Sequence, residues 1–157
     1  MFEPSKPSLE FLARFTMALD MPAWPLGKTS DLGERRIIPI CGGSFEGPGF
    51  SGKVLEHGAD WQVVTPDGLA LIDSRCLLQT EEGELLYLTT RGYRHGPAEV
   101  MAEVAKGAAV DPGRYYFRLS LAFETSAPRH ARLKRSVGVA TAMRLGNAVV
   151  YDAYLLG

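Results

Sequence analysis

Gly47, Gly49 and Gly52, followed by Lys53, are the first residues in the chain whose types and spacing could do chemistry. They fit G-x-G-x-x-G, and Gly47 through Lys53 fit the opening of G-x-x-x-x-G-K. Both motifs are phosphate cradles, and both work only where a strand runs into a helix whose N-terminal N–H groups hold the anion. Ile37 to Cys41 supplies a candidate strand. Val54, however, stands where the P-loop needs Ser or Thr for Mg²⁺, and His57-Gly58 interrupts the stretch before a helix can form. Nucleotide chemistry is therefore not expected here. Glycine at this density instead fits the bulges and corners of a β-rich chain.

Other reactive types are scattered. Cys41 and Cys76 show neither metal nor redox spacing and read as reduced thiols. His57, His95 and His130 show no metal-ligand spacing, and there is no G-x-S-x-G elbow or H-E-x-x-H helix. The chain thus calls for no metal or cofactor. The basic run Arg129, His130, Arg132, Lys134, Arg135 divides between two faces if it is a strand, and it lacks the interleaved aromatics of a nucleic-acid platform. A formal charge of -1 gives no electrostatic reason to expect nucleic acid or an anionic membrane. No apolar run approaches the roughly 18 residues that span a bilayer. The N-terminus lacks the basic-then-apolar order of a signal peptide, so a cytoplasmic location is expected.

The elements that must position any site are mostly strands. With 157 residues, 46% hydrophobic and 22% charged, the chain suits one domain over 1–157, with residues 1–8 a loose, proline-bearing arm. Leu9, Phe11, Ala13, Phe15, Met17 and Leu19 alternate with their neighbours at period two, which predicts a strand. Met21 to Leu32 reads as a loop on its prolines and glycine, and Glu34 to Cys41 as a short strand. Asp60 to Thr65 and Leu69 to Thr80 flank Pro66-Asp67-Gly68, and Glu81-Glu82-Gly83 turns into Glu84 to Arg91. One helix is predicted between about residues 97 and 108, with Pro97 at its start and Gly107 near its end. Tyr115 to Glu124, Ala131 to Ala142 and Ala148 to Leu156 complete the set. About eight or nine strands with one helix predict an antiparallel barrel or sandwich, and the long consecutive hairpins and glycine-rich corners favour a closed antiparallel β-barrel. The last strand, AVVYDAYLL, is apolar on both faces, so the helix or a second subunit should cover its outside, and a homodimer or higher homo-oligomer is expected.

The words GERRIIPICGGSFEGPGFSGKVLEHGADWQ, then PDG, DSR, YYFR and FET, resemble domain of unknown function 3237, an uncharacterised protein family. The match runs in order through nearly the whole chain. The resemblance implies a small closed β-barrel akin to allene oxide cyclase, and it implies no established activity. The chain departs from the family pattern at Cys41, where the family often reads P-I-T-G-G, and at Cys76, where tyrosine often follows D-x-R.

Those words bring candidate residues on four segments. Glu124 and Arg118, or Asp73 and Arg75, are candidates for catalysis, and Glu46, Asp60 and Trp61 for ligand binding. A guanidinium can fix a carbonyl or anionic oxygen while a carboxylate moves a proton, the minimum for enolisation or elimination. Asp73 and Arg75 could equally form a surface ion pair, and Arg118 and Glu124 could face solvent opposite Phe117, Leu119 and Leu121. Three classes stay open: an isomerase, cyclase or lyase working by acid–base chemistry on a small apolar molecule, a non-catalytic binding barrel, or a barrel packed solid. The parity of each strand that faces inward separates them.

Overall fold

The computed structural model describes residues 1–157. Its strands are β1 (Leu9–Leu19), β2 (Trp24–Ser30), β3 (Gly33–Gly47), β4 (Phe50–Val54), β5 (Gly58–Val64), β6 (Ala70–Thr80), β7 (Leu85–His95), β8 (Tyr116–Glu124), β9 (Val137–Arg144) and β10 (Ala148–Leu156). One α-helix, α1 (Ala98–Ala105), follows β7. Every ladder is antiparallel. The ring runs β1, β3, β5, β6, β7, β8, β9, β10 and back to β1, an eight-stranded closed barrel. β3 is long enough to serve four neighbours. Its first half pairs with β2 and β5, and its second half with β1 and β4. Thus β1 with β2, and β4 with β5, each fill one place in the wall with a break between them. Closure leaves no long sheet edge to recruit other chains.

Alternation sets the faces. On β8, Phe117, Leu119, Leu121 and Phe123 point inward and are buried; on β6, Ile72, Ser74, Cys76 and Leu78 do the same. One part of the interior is packed with rings: Phe15 stacks on Phe45 at 5.4 Å and on Tyr151 at 5.0 Å, and Phe50 lies 4.7 Å from Phe45. Such pairs are worth about 0.5–1.5 kcal/mol each beyond the area they bury.

The glycine stretch is a hairpin. β3 and β4 pair from Ser44–Lys53 to Gly47–Phe50, with the turn at Pro48-Gly49, where Gly49 has φ +65°. A Cβ on Gly43 or Gly47 would collide with the carbonyl oxygen of Thr16 or Leu12 on β1, so glycine is what lets β1 lie this close to β3. No helix follows the motif, and the phosphate cradle has no context here.

Several boundaries differ from the sequence reading, among them the end of β7, which runs to His95 rather than Arg91. The segment 21–32 contains β2, because the opening residues of β3, Gly33 to Ile37, offer an edge along which Trp24 and Lys28 pair. β3 itself runs past its predicted end, through Gly42 and Gly43, to Gly47. Residues Pro128–Arg135 form a 3-10 segment, so the last but one strand starts at Val137 rather than Ala131. A bulge between Phe11 and Ala13 shifts the register of β1, leaving Phe11 exposed while Leu12 and Ala13 are buried. The outer face of β10 carries the Arg14–Asp152 ion pair at 2.7 Å and Tyr154 edge-on to Phe11. The helix does not cover it; α1 lies over one mouth of the barrel, with Val100 and Val104 buried in the core.

Candidate functional site

Period-two alternation also aims a set of polar side chains into the barrel. β5 places Asp60 and Gln62 inward, β6 places Ser74, and β7 places Thr90 and Arg94. With Arg144 at the end of β9, they line an inner cavity of about 40 Å³ whose other walls are apolar, among them Ile38, Ile72, Phe117, Leu119 and Tyr151. That volume takes a few waters, since one needs roughly 10–15 Å³. A larger vestibule of about 590 Å³ shares Ile38, Arg94 and Arg144 with it and reaches outward to Arg36 and to the side of α1. Together they make a small-molecule-sized space with a polar neck.

Asp60 is 9% exposed. Its Oδ1 accepts from the Asp73 backbone N–H at 3.0 Å, and its Oδ2 accepts from Gln62 Nε2 at 3.0 Å. Burial raises its pKa above the ordinary carboxylate value, against the opposing pull of those hydrogen bonds and of Arg94 and Arg36. Gln62 is oriented in turn by Arg36, whose Nε donates to Gln62 Oε1 at 2.7 Å.

Arg94 is 8% exposed, its Nε has no hydrogen-bond partner, and its guanidinium carbon sits 5.4 Å from the Phe117 ring centroid. Burial, then repulsion from Arg36 and Arg144, brings its pKa down to about 10, so it is still a cation at neutral pH. A second unpartnered group lies in the same wall: the Tyr151 hydroxyl is buried without a partner, and burial raises its pKa, keeping it a proton donor. Ser74 and Thr90 hydroxyls bond each other across β6 and β7. The Cys76 thiol points inward, and burial pushes it up to about 12, far from a thiolate nucleophile. No group of three or more His, Cys, Asp and Glu side chains comes together in metal-binding reach.

Of the residues expected from sequence, Asp60 alone lines the cavity. Trp61, next along β5, faces outward, with the Arg75 guanidinium 5.5 Å from its ring. Asp73 and Arg75 share the outer face of β6, where Asp73 lies 3.5 Å from both Arg75 and Arg91. The structure thus brings Trp61, Asp73 and Arg75 together, but outside the barrel. Arg118 and Glu124 do not meet in a pocket. The inward parity of β8 belongs to its phenylalanines and leucines, so Arg118 lies on the outer wall against Tyr116 at 5.2 Å and Glu124 is exposed. Glu46 is also exposed. The expectation that these residues share one site with Asp60 is corrected on geometry. Arg94 was missed because the predicted strand stopped at Arg91. Carrying the alternation of Leu86, Leu88 and Thr90 two steps further would have reached it.

The family model described as "Protein of unknown function (DUF3237)" matches residues 7–156, as the resemblance implied. A UPF0311 protein of Rhodopseudomonas palustris (strain TIE-1) is 38% identical over 122 residues, covering 78% of this chain and 80% of that protein. A UPF0311 protein of Clostridium acetobutylicum is 35% identical over 139 residues, covering 88% and 87%. The fold is similar to the crystal structure of a beta-barrel like protein from Acinetobacter baumannii AYE, with 53% identity, TM-score 0.89 and 100% of both chains covered. It is also similar, at 22% identity and TM-score 0.70 over 100% of this chain and 99% of the other, to an enzyme from Penicillium herquei, a likeness of fold alone.

Proposed function

We propose a function from a plain premise: this chain belongs to the DUF3237 family of proteins of unknown function. The function is proton transfer on a small, mainly apolar molecule, as in an isomerase, cyclase or lyase, using the chain's own side chains. One observation carries the reading: Asp60, nine-tenths buried, faces the same cavity as the buried and unpartnered Arg94. A carboxylate with a raised pKa is a better base than an exposed one and can return its proton nearer neutrality. Its carboxylate would take a proton from a carbon next to a carbonyl, leaving that electron pair in the enolate. The negative charge then gathers on the oxygen, which Arg94 is placed to hold in a medium where water does not compete. The protonated Asp60 gives the proton back to another carbon in an isomerase, or to a departing oxygen in a lyase. The protein from Penicillium herquei that shares this fold is described as an enzyme, which is compatible with catalysis in such a barrel and supports no particular reaction.

A second reading, a non-catalytic binder, is favoured by a different observation. Both Asp60 oxygens already accept hydrogen bonds, as a purely structural carboxylate would. Proton exchange separates the two. A panel of small apolar ketones and enones is incubated with the protein in D₂O and followed by proton NMR. The catalytic reading expects deuterium to enter beside the carbonyl of at least one compound, with the rate falling by about 10²-fold or more in Asp60→Asn. Compounds that bind without exchanging leave the binder. An Asp60→Asn protein that exchanges at the wild-type rate removes Asp60 as the base.

A further inference from the structure

The charges at the neck do not balance. Arg36, Arg94 and Arg144 act on one another and answer to only two carboxylates, Asp60 inside and the exposed Glu34 beside Arg36, which leaves one cation in excess. Arg94 Nε is buried with no hydrogen-bond partner, and a buried donor left unsatisfied on a cation is costly. Arg144 reaches only Met21 Sδ at 3.6 Å and Gly146 O at 3.4 Å with its guanidinium, so most of its donors are free as well. Packing against Phe117 offsets part of the Arg94 cost, yet it leaves the N–H fork unsatisfied. An arrangement that holds two such forks around one neck suits an anion with two oxygens in a plane.

We infer that the molecule handled in this barrel carries a carboxylate, held at the neck by Arg144 and the outer edge of the Arg94 fork, whose inner edge stays free for the reacting oxygen, with its reacting carbons toward Asp60 and the rest of its apolar body in the vestibule under α1. The inference rests on the small-molecule role proposed above and names the class of ligand. Guanidinium forks match carboxylate and phosphate alike, so the choice of carboxylate rests on the helix. The helix turns its side to the vestibule through Ala98, Met101, Ala102 and Ala105, so its N-terminal N–H groups supply no phosphate cradle. Those same side chains, with Met21 and Pro25, make a wall for an alkyl or ring body rather than a polar one.

The test is isothermal titration of the wild-type protein at low salt with alkanoates from butanoate to decanoate, with 1-octanol and with octyl phosphate. The expected result is one site per chain that prefers octanoate over 1-octanol by about tenfold or more. Arg144→Gln should weaken octanoate by about tenfold while leaving 1-octanol unchanged. Arg94→Met should do the same if its circular dichroism matches wild type, and Arg144→Gln decides the matter if it does not. Asp60→Asn should bind octanoate as tightly or more so, because it removes a like charge. Equal affinity for octanoate and 1-octanol, tighter binding of octyl phosphate, no binding by any alkanoate, or an Arg144→Gln protein unchanged toward octanoate overturns the inference. Failure of the proton-transfer reading looks different: octanoate binding survives, while deuterium exchange is absent or insensitive to Asp60.

Discussion

Asp60 and Trp61 are adjacent, and the barrel wall passes between them. Both are ligand-binding candidates in sequence, but alternation along β5 lets only one of them face the cavity. The structure turns Asp60 and Gln62 into the barrel and Trp61 out of it. Composition could not reveal that choice, since it depends on which face meets the cavity. The inward placement has a pH signature. Burial raises the pKa of Asp60, so the folded state holds a proton that the unfolded chain has already lost. Stability from this group is therefore fully present below the unfolded value, about 3.9, and falls as pH rises from there to the raised folded value. Asp60→Asn should remove that fall, and urea titrations at a series of pH values would show the difference between the two proteins widening with pH. A constant difference contradicts the assignment. Tyr151 offers a second check at this scale. Its hydroxyl is buried without a partner, so Tyr151→Phe should raise stability by about 1 kcal/mol in urea unfolding, and a loss of that size would mean the hydroxyl is bonded.

The elements were more legible than the site. Where one face of a strand is wholly apolar, as with Phe117, Leu119, Leu121 and Phe123 on β8, period two fixes both the strand and its inner face. Legibility failed where pairing, rather than local pattern, makes the strand. β2 carries Trp24, Pro25 and Gly27 and reads as loop, yet the edge of β3 holds it in register. Pro128 announces a break, but nothing in Ala131 to Arg135 signals that 3-10 turns fill it. The ring cluster adjoins the cavity through Tyr151, which belongs to both. Phe45 is 1% exposed and touches Phe15 and Phe50, so Phe45→Ala should cost about 3–5 kcal/mol in urea unfolding. A cost under about 1 kcal/mol would mean that the cluster collapses onto the gap or is loosely packed.

At the scale of the whole molecule, no helix is long and apolar enough to cross a membrane. The outer wall still exposes large apolar side chains, among them Trp24 at 68%, Leu26 at 54% and Tyr93 at 54%. We propose that a second copy covers part of this wall, since large exposed apolar patches are rare on monomers. Light scattering should then return about twice the 17.1 kDa of one chain, and a mass near 17.1 kDa across a broad concentration range contradicts it. The central claim concerns the inside of the barrel rather than its wall. Two carboxylates, Asp60 within and Glu124 without, were both candidates from sequence, and the structure puts them in opposite environments. Deuterium uptake by one exchanging ketone, measured side by side in wild type, Asp60→Asn and Glu124→Gln, tests that difference directly. The account predicts a loss of about 10²-fold or more in Asp60→Asn and the wild-type rate in Glu124→Gln. Exchange that survives Asp60→Asn and fails in Glu124→Gln would place the chemistry on the outer wall and contradict it.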